Sequence, residues 1–275
     1  MVPTKTYPFD IYVVGLGIVG TRQITKEVEA VLRKSERVFI LFYQEIMHDY
    51  IARDLGTPVT DLHDEYAEGL DRLQTYRKMA DRVMDAAVEA TSPIALALYG
   101  HPTIFVTPTR LIQEEAHERG LRVKVLPGIS SMDCLFADIG FDPGSSGIQM
   151  YEATDFLLRR FVPVTAVPLF LWQIGALETG LYIARRSKPE RFVRLRQYLQ
   201  IFYPEDHILY LLRTATYPFT RSEQRAFRLR DFEKQHLYVD PVHTLYVPPL
   251  AEKSTQDVEL AERITSKTHL SSIVE

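Results

Sequence analysis

The sequence has one cysteine, Cys134, in 275 residues. A single thiol forms neither an intramolecular disulfide nor a cysteine-based metal cluster, so no metal site is expected and a reducing cytoplasm fits best. No apolar run approaches the length of a membrane span, and no membrane partner is expected. The opening residues MVPTKTYPFD lack the apolar core of a signal peptide, which again points to a cytoplasmic protein. No sign of charge dominates: the formal net charge is -4, with charged residues at 25%. Bulk charge therefore argues against a nucleic-acid partner. One local basic run, residues 185–196, reads as a solvated helix face. Internal repeats and low-complexity segments are missing as well.

What is present is ample apolar material, 46% of residues, enough for one large or two modest domains. Apolar runs predict strands at 11–14, 37–42, 94–98, 122–126, 169–172, 208–212 and 244–247. Helical spacing predicts helices from Thr21 or Thr25 to Lys34, and at 70–90, 109–120, 130–139 and 191–202. Residues 50–60 read as a short helix and loop, 62–69 as irregular, 150–156 as a short element, and 227–232 as a polar loop and helix. Strands and helices alternate, so the class is α/β. The cleanest boundary lies at Leu126-Pro127, giving units 1–126 and 127–250. A polar tail, 251–275, follows, with a helical turn or two around 258–264.

The chain is organised around residues 94–155. The first apolar run there stops at Tyr99-Gly100-His101-Pro102, and the second stops at Pro127-Gly128. Two strand ends that open into Gly/Pro loops form a crevice of the kind open α/β sheets use for ligands. Ser130 or Ser131 caps the next helix, with Asp133 in its first turn. Residues 15–20, GLGIVG, match a dinucleotide fingerprint by letter. However, the second strand ends at Tyr43-Gln44 rather than at an acid, which favours a tight structural turn. Tyr66, Arg72 and Tyr76 flank the start of the helix at 70–90, with Arg72 and Tyr76 four apart on one face. Spacing alone leaves two readings, a packed tyrosine pair with a surface arginine or a chemical group. His101 is similarly open between a ligand contact and a bond to its own turn.

The motifs VGLGIVG, LYGHPTIF, LPGISSMDCLFADIGFDPG, YEATDF, LFLWQIG and HTLYVPP together resemble the tetrapyrrole methylase superfamily. Within it, the chain looks like the borosin-type peptide backbone α-N-methyltransferases over residues 10–250. The resemblance implies two α/β domains with S-adenosylmethionine in the cleft between them, S-adenosylhomocysteine as product, and a homodimer. It places the cofactor against Tyr99, His101, Ile104, Phe105, Ser130, Gln173, Thr214, His243 and Thr244. It also makes Tyr66, Arg72 and Tyr76 the catalytic set. Those residue types suit the chemistry. A peptide nitrogen is a poor nucleophile because its lone pair is delocalised into the carbonyl. It must lose its proton as the methyl group arrives, leaving charge on oxygen. A phenolate is a strong enough base, and a guanidinium steadies the oxygen charge. The tail lacks the Val/Ile/Gly-rich core of fused substrates, so a separate precursor peptide methylated in trans is expected. Two alternatives remain: methylation of a tetrapyrrole or other small acceptor, and a catalytically silent cofactor-binding module.

Overall fold

The computed structural model describes residues 7–217, 219–250 and 256–275. Part of the opening segment and the start of the expected tail, 251–255, lie outside the described residues. The chain folds around two five-stranded sheets. The first contains β1 (Ile11–Gly15), β2 (Arg37–Leu41), β3 (Val59–Asp61), β4 (Ile94–Leu98) and β5 (Val123–Leu126), in the order β3-β2-β4-β1-β5. All its pairings are parallel; β4 lies between β2 and β1, with Ile94 level with both Arg37 and Ile11. Such a sheet is covered on both faces. Its helices are α1 (Lys26–Lys34), α2 (Glu45–Asp49), α3 (Arg72–Glu89) and α4 (Thr107–Glu115). Period-two alternation splits β1 between them. Ile11 and Val13 pack in a core with Met79, Val83 and Leu111, and Val14 packs in another with Val28 and Leu32.

The second sheet has the order β6-β7-β10-β8-β9: β6 (Gln149–Glu152), β7 (Leu169–Trp172), β8 (Ile208–Arg213), β9 (Glu223–Arg228) and β10 (Thr244–Val247). Only β6 and β7 run parallel; the other pairs are antiparallel. Leu169 and Leu171 join a core with Phe156, Leu195 and Leu199, from α7 (Ala153–Leu158) and α8 (Val193–Leu199). Phe170 and Trp172 face the other way, against Leu135 of α5 (Ser131–Ile139). The short α6 (Pro143–Ser146) precedes β6, and α9 (Val258–Arg263) and α10 (Lys267–Ile273) lie in the tail.

Several expectations need correction. Val59–Asp61 is a strand where a short helix and loop was expected over 50–60. Glu223–Arg228 is a strand that was not foreseen; it overlaps the loop and helix expected at 227–232 only at Phe227 and Arg228, and helical turns do follow over Leu229–Leu237. Both sit at sheet edges, where polar residues face water and apolar periodicity fades. The helix expected at 70–90 starts two residues later. Asp71 is its N-cap, accepting a bond from Gln74 N–H at 2.9 Å, while Leu70 is used for pairing elsewhere. The basic run 185–196 is not one helix face. It passes through irregular backbone and a short turn before α8 begins at Val193. By contrast, Ser130 caps α5 as expected, in a reciprocal capping box with Asp133.

Two backbone contacts place the site. The first joins the C-terminal ends of β1, β4 and β5. A Cβ built on Gly128 would stand 2.5 Å from the Gly100 carbonyl oxygen and 2.7 Å from Gly15 Cα. The second ties the N-terminal half to the C-terminal half. Gly69 N–H donates to Tyr182 O at 2.9 Å, Tyr182 N–H to Leu70 O at 2.8 Å, and Arg72 N–H to Gly180 O at 2.8 Å. Asp71 and Leu181 form the antiparallel bridge between these bonds.

Gly128→Ala should therefore lower stability by about 1–3 kcal/mol, because backbone rather than a pliable side chain fills the space. Gly180→Ala, with open space at its Cβ, is the control and should stay within about 0.5 kcal/mol of wild type. Urea unfolding measures both; equal losses would contradict the close-approach account.

Candidate active site

The loops after β1, β4 and β5 meet, and the side chains of the latter two face a cavity of about 330 Å³. All nine residues expected to hold the cofactor line it. Tyr99, His101, Ile104 and Phe105 come from the loop after β4, and Ser130 caps α5. Gln173 follows β7, Thr214 follows β8, His243 immediately precedes β10, and Thr244 begins it. The GLGIVG glycines do not line it. Gln23 accepts the Ile18 and Val19 N–H groups at 2.7 and 3.1 Å, and Gly17 bridges to Gly100, as a structural turn requires.

Several of these side chains already have partners. Ser130 donates its hydroxyl to Asp133 at 2.8 Å. Thr214 donates to Asp138 at 2.8 Å, and His243 Nδ1 lies 2.7 Å from Asp240 Oδ1. His101 Nδ1 accepts from Thr103 N–H at 3.3 Å, the own-turn bond that was one of its two readings. These four therefore shape the wall, and their free faces or backbone atoms are what a ligand meets. Burial raises the Asp240 carboxyl, but the bond from His243 and the nearby Arg213 outweigh it, leaving it below its ordinary value. Burial holds the Tyr99 hydroxyl well above the usual tyrosine range, with Tyr43 adding to the rise.

Tyr66 and Tyr76 line the same cavity. Their rings meet edge to face, 6.3 Å between centroids. Arg72 lies outside this lining. It borders two adjoining spaces, of about 450 and 220 Å³. Tyr76 and Gln173 are common to all three cavities, so the tyrosine and arginine set sits where they join. Arg72 Nη2 donates to Thr179 O at 2.6 Å, and no carboxylate pairs with it among the described residues. Burial is the main reason that Tyr66 is held above its ordinary pKa; Tyr76 and then Tyr182 add to the shift, and Arg72 opposes it. Both rings also pack against the first core, so the packing reading of the pair holds whatever else they do.

Some lining residues were not singled out from the sequence, although Trp172 stands within the LFLWQIG motif. Tyr182 stacks on Tyr66 at 4.7 Å between centroids, although 116 residues separate them. Trp172, 5% exposed, lines the main cavity with its Nε1–H lacking a partner. Tyr43 was quoted only as the end of β2, yet it reaches the wall. The strand-end rule, applied to every strand, would have found Tyr43 and Arg213. Gln173 carries a further mark: its φ of 56° is left-handed, a strained position for a side chain with a Cβ.

Comparison with known proteins places these residues in a wider set. Residues 10–227 match the family described as Tetrapyrrole (Corrin/Porphyrin) Methylases. A methyltransferase/ribosomally synthesized type II borosin cyclic peptide precursor of Phlebiopsis gigantea is 32% identical over 86% of this chain and 42% of its own length. The gymnopeptides precursor of Gymnopus fusipes is 32% identical over 90% of this chain and 59% of that protein. The omphalotin A precursor of Omphalotus olearius is 28% identical, with shares of 92% and 60%. The chain thus spans roughly half the length of these relatives. Among solved structures, uroporphyrin-III-C-methyltransferase from Thermus thermophilus aligns with a TM-score of 0.60 over 86% of this chain and 91% of its own. A cobalt precorrin-4 methyltransferase aligns at 0.58, over 86% and 94%. At 17% and 15% identity these two show the fold alone.

Gln173→Gly separates strain from chemistry. It removes the left-handed penalty, so the melting temperature should hold or rise, by up to about 1 kcal/mol of stability. It also removes a side chain shared by all three cavities, so affinity for S-adenosylmethionine or the rate of transfer should fall. Thermal melts with calorimetry check this; unchanged binding and transfer would leave Gln173 a turn residue only.

Proposed function

The chain belongs to the tetrapyrrole (corrin/porphyrin) methylase family, and from that premise we propose that it is an S-adenosylmethionine-dependent methyltransferase acting on backbone amides of a ribosomal precursor peptide. The observation that carries the acceptor is the shared wall: Tyr76 lines all three cavities, Tyr66 the main and the smallest, and Arg72 the widest and the smallest. The relatives named as fused methyltransferase and peptide precursors support the same acceptor. A tetrapyrrole acceptor would leave the tyrosine and arginine set without a task.

The residues fit the cofactor. A cavity of about 330 Å³ lies within the range of small-molecule sites. Its wall is apolar at Leu98, Ile104 and Phe105, which suits the methyl-bearing sulfur, and Gln173 and Thr244 add polar side chains to it. Tyr99, His101, Ser130, Gln173, Thr214, His243 and Thr244 would hold it, together with Ile104 and Phe105. When bound, S-adenosylmethionine supplies an electrophilic methyl group.

The rest falls to the chain. The peptide amide reaches Tyr66 and Tyr76 through the wider, 450 Å³ space bounded by Leu73, Phe105 and Glu152. The Arg72 guanidinium draws the amide carbonyl and steadies the negative charge that grows on its oxygen. The nitrogen gains a methyl group and gives its proton to a tyrosine oxygen. Because burial holds Tyr66 protonated, it accepts the amide proton only as its own passes to the Tyr76 hydroxyl oxygen, which releases its proton to solvent. The precursor peptide is added as a separate molecule in this scheme. The family resemblance carries a homodimer with it, which sedimentation at micromolar concentration checks.

Tyr76→Phe keeps the ring and removes the hydroxyl. Single-turnover transfer to a saturating peptide should fall by about a hundredfold or more, the loss typical of acid–base assistance. Arg72→Lys keeps charge but loses the planar fork and should be impaired too. Since the ionised phenol grows as pH rises towards a raised pKa, the wild-type rate should climb steadily between about pH 6 and 9. Wild-type rates in both variants would return the residues to packing. A plateau near neutrality would point to histidine instead.

A further inference from the structure

The segment 173–182 delivers two groups to the tyrosine and arginine set. Thr179 presents the carbonyl that Arg72 bonds, and Tyr182 stacks on Tyr66. Its first half is a strained turn, with Gln173 at φ 56° and Glu178 at φ 59°, both left-handed and neither a glycine. Such a turn persists only where its surroundings hold it. The holder is Arg191. Its Nε donates to Leu177 O at 2.7 Å, and its Nη1 donates to Gly175 O at 3.0 Å and to Ser187 Oγ at 2.6 Å. The two carbonyls lie between the two strained residues, so one planar fork spans the turn.

Resting on the function proposed above, we propose that Arg191 is a positioning residue for methyl transfer, fixing the 173–179 turn so that Thr179 orients Arg72 and Tyr182 orients Tyr66. Ordinary surface placement does not explain this arginine. It is part of the basic run that reads as a solvated face, yet it lines the small cavity with Tyr66, Arg72, Tyr76 and Tyr182. Among the described residues no acidic side chain lines that cavity. The nearby Glu178 is engaged by Arg194 at 3.2 Å. Burial, and then the like charge of Arg72, lower the pKa of Arg191, with Glu178 opposing. A guanidinium kept at that cost serves a geometry that lysine does not supply, because a single ammonium does not reproduce the fork across two carbonyls.

The test compares Arg191→Met and Arg191→Lys with wild type, alone and combined with Arg72→Lys. Kcat for peptide methylation should fall about a hundredfold in Arg191→Met, the scale of misplacing a reacting group by about 1 Å. The peptide KM should change little, and S-adenosylmethionine affinity should fall far less than the rate. Arg191→Lys should stay at least about tenfold impaired. If Arg191 works through Arg72, the double variant loses no more than the worse single variant. Additive losses, or a normal kcat in Arg191→Met, overturn the proposal. Should Arg191→Met fail to fold in urea melts, the same cycle is read on Arg191→Lys. A crystal structure of Arg191→Lys needs no acceptor and separates the two claims. An intact Arg72–Thr179 bond there overturns the role of Arg191. A wild-type enzyme that methylates no peptide overturns the proposed function instead.

Discussion

No side chain fits at Gly15 and Gly128, where the ends of β1 and β5 meet the loop after β4. Gly15, Gly100 and Gly128 bring three backbones so close that an added Cβ would meet main-chain atoms inside 3 Å at Gly15 and Gly128. That contact has a consequence for the site. With no side chains between them, the loops turn theirs outward: Tyr99, His101 and Phe105 from one, Ser130 from the next. The cavity is thus built by packing at its back rather than by any group inside it. The GLGIVG turn belongs to this packing. Gly15 serves the approach of backbones, Gly17 and Gly20 hold left-handed φ of 74° and 52°, and the cavity wall lies on the other loops.

The opposite side of the cavity depends on a different constraint. Residues 69–72 and 180–182 pair as a short antiparallel ladder, joining segments more than a hundred positions apart. Arg72 is the last residue of that ladder and the first of α3, so its backbone is fixed by one element and its side chain directed by the other. Tyr76 then follows one helical turn on. The charge balance is unusual: Arg72 and Arg191 line one small space with no acid among the described residues, and Tyr66 is half-buried beside them. Such an arrangement favours a partner that becomes negative, as an amide oxygen does when its nitrogen loses a proton.

Much of this was legible in the sequence, and for physical reasons. Buried parallel strands such as Ile94–Leu98 are continuous apolar runs, and the Gly/Pro loops that end them mark ligand crevices wherever they occur. The capping pair Ser130 and Asp133 is local, so three residues sufficed to place a helix start. What escaped was either polar at an edge or distant in the chain. EQRAFR at β9 shows no apolar alternation, because its ladder to β8 is made by backbone atoms. Tyr182 and Arg191 gain their meaning from the ladder and the strained turn. No local pattern announces either, and Arg191 was hidden among neighbours that do face water. Likewise, spacing did not show that Arg72 would stand outside the main cavity while Tyr66 and Tyr76 stand inside it.

The central claim is the identity of the methylated atom. The direct measurement incubates the protein with a precursor peptide and S-adenosylmethionine bearing a trideuterated methyl group, then fragments the product in a mass spectrometer. The account predicts the heavy methyl on a backbone amide nitrogen, so that the mass change falls between two adjacent backbone cleavages and survives side-chain loss. A label confined to a side chain, a terminus or a non-peptide acceptor would contradict it.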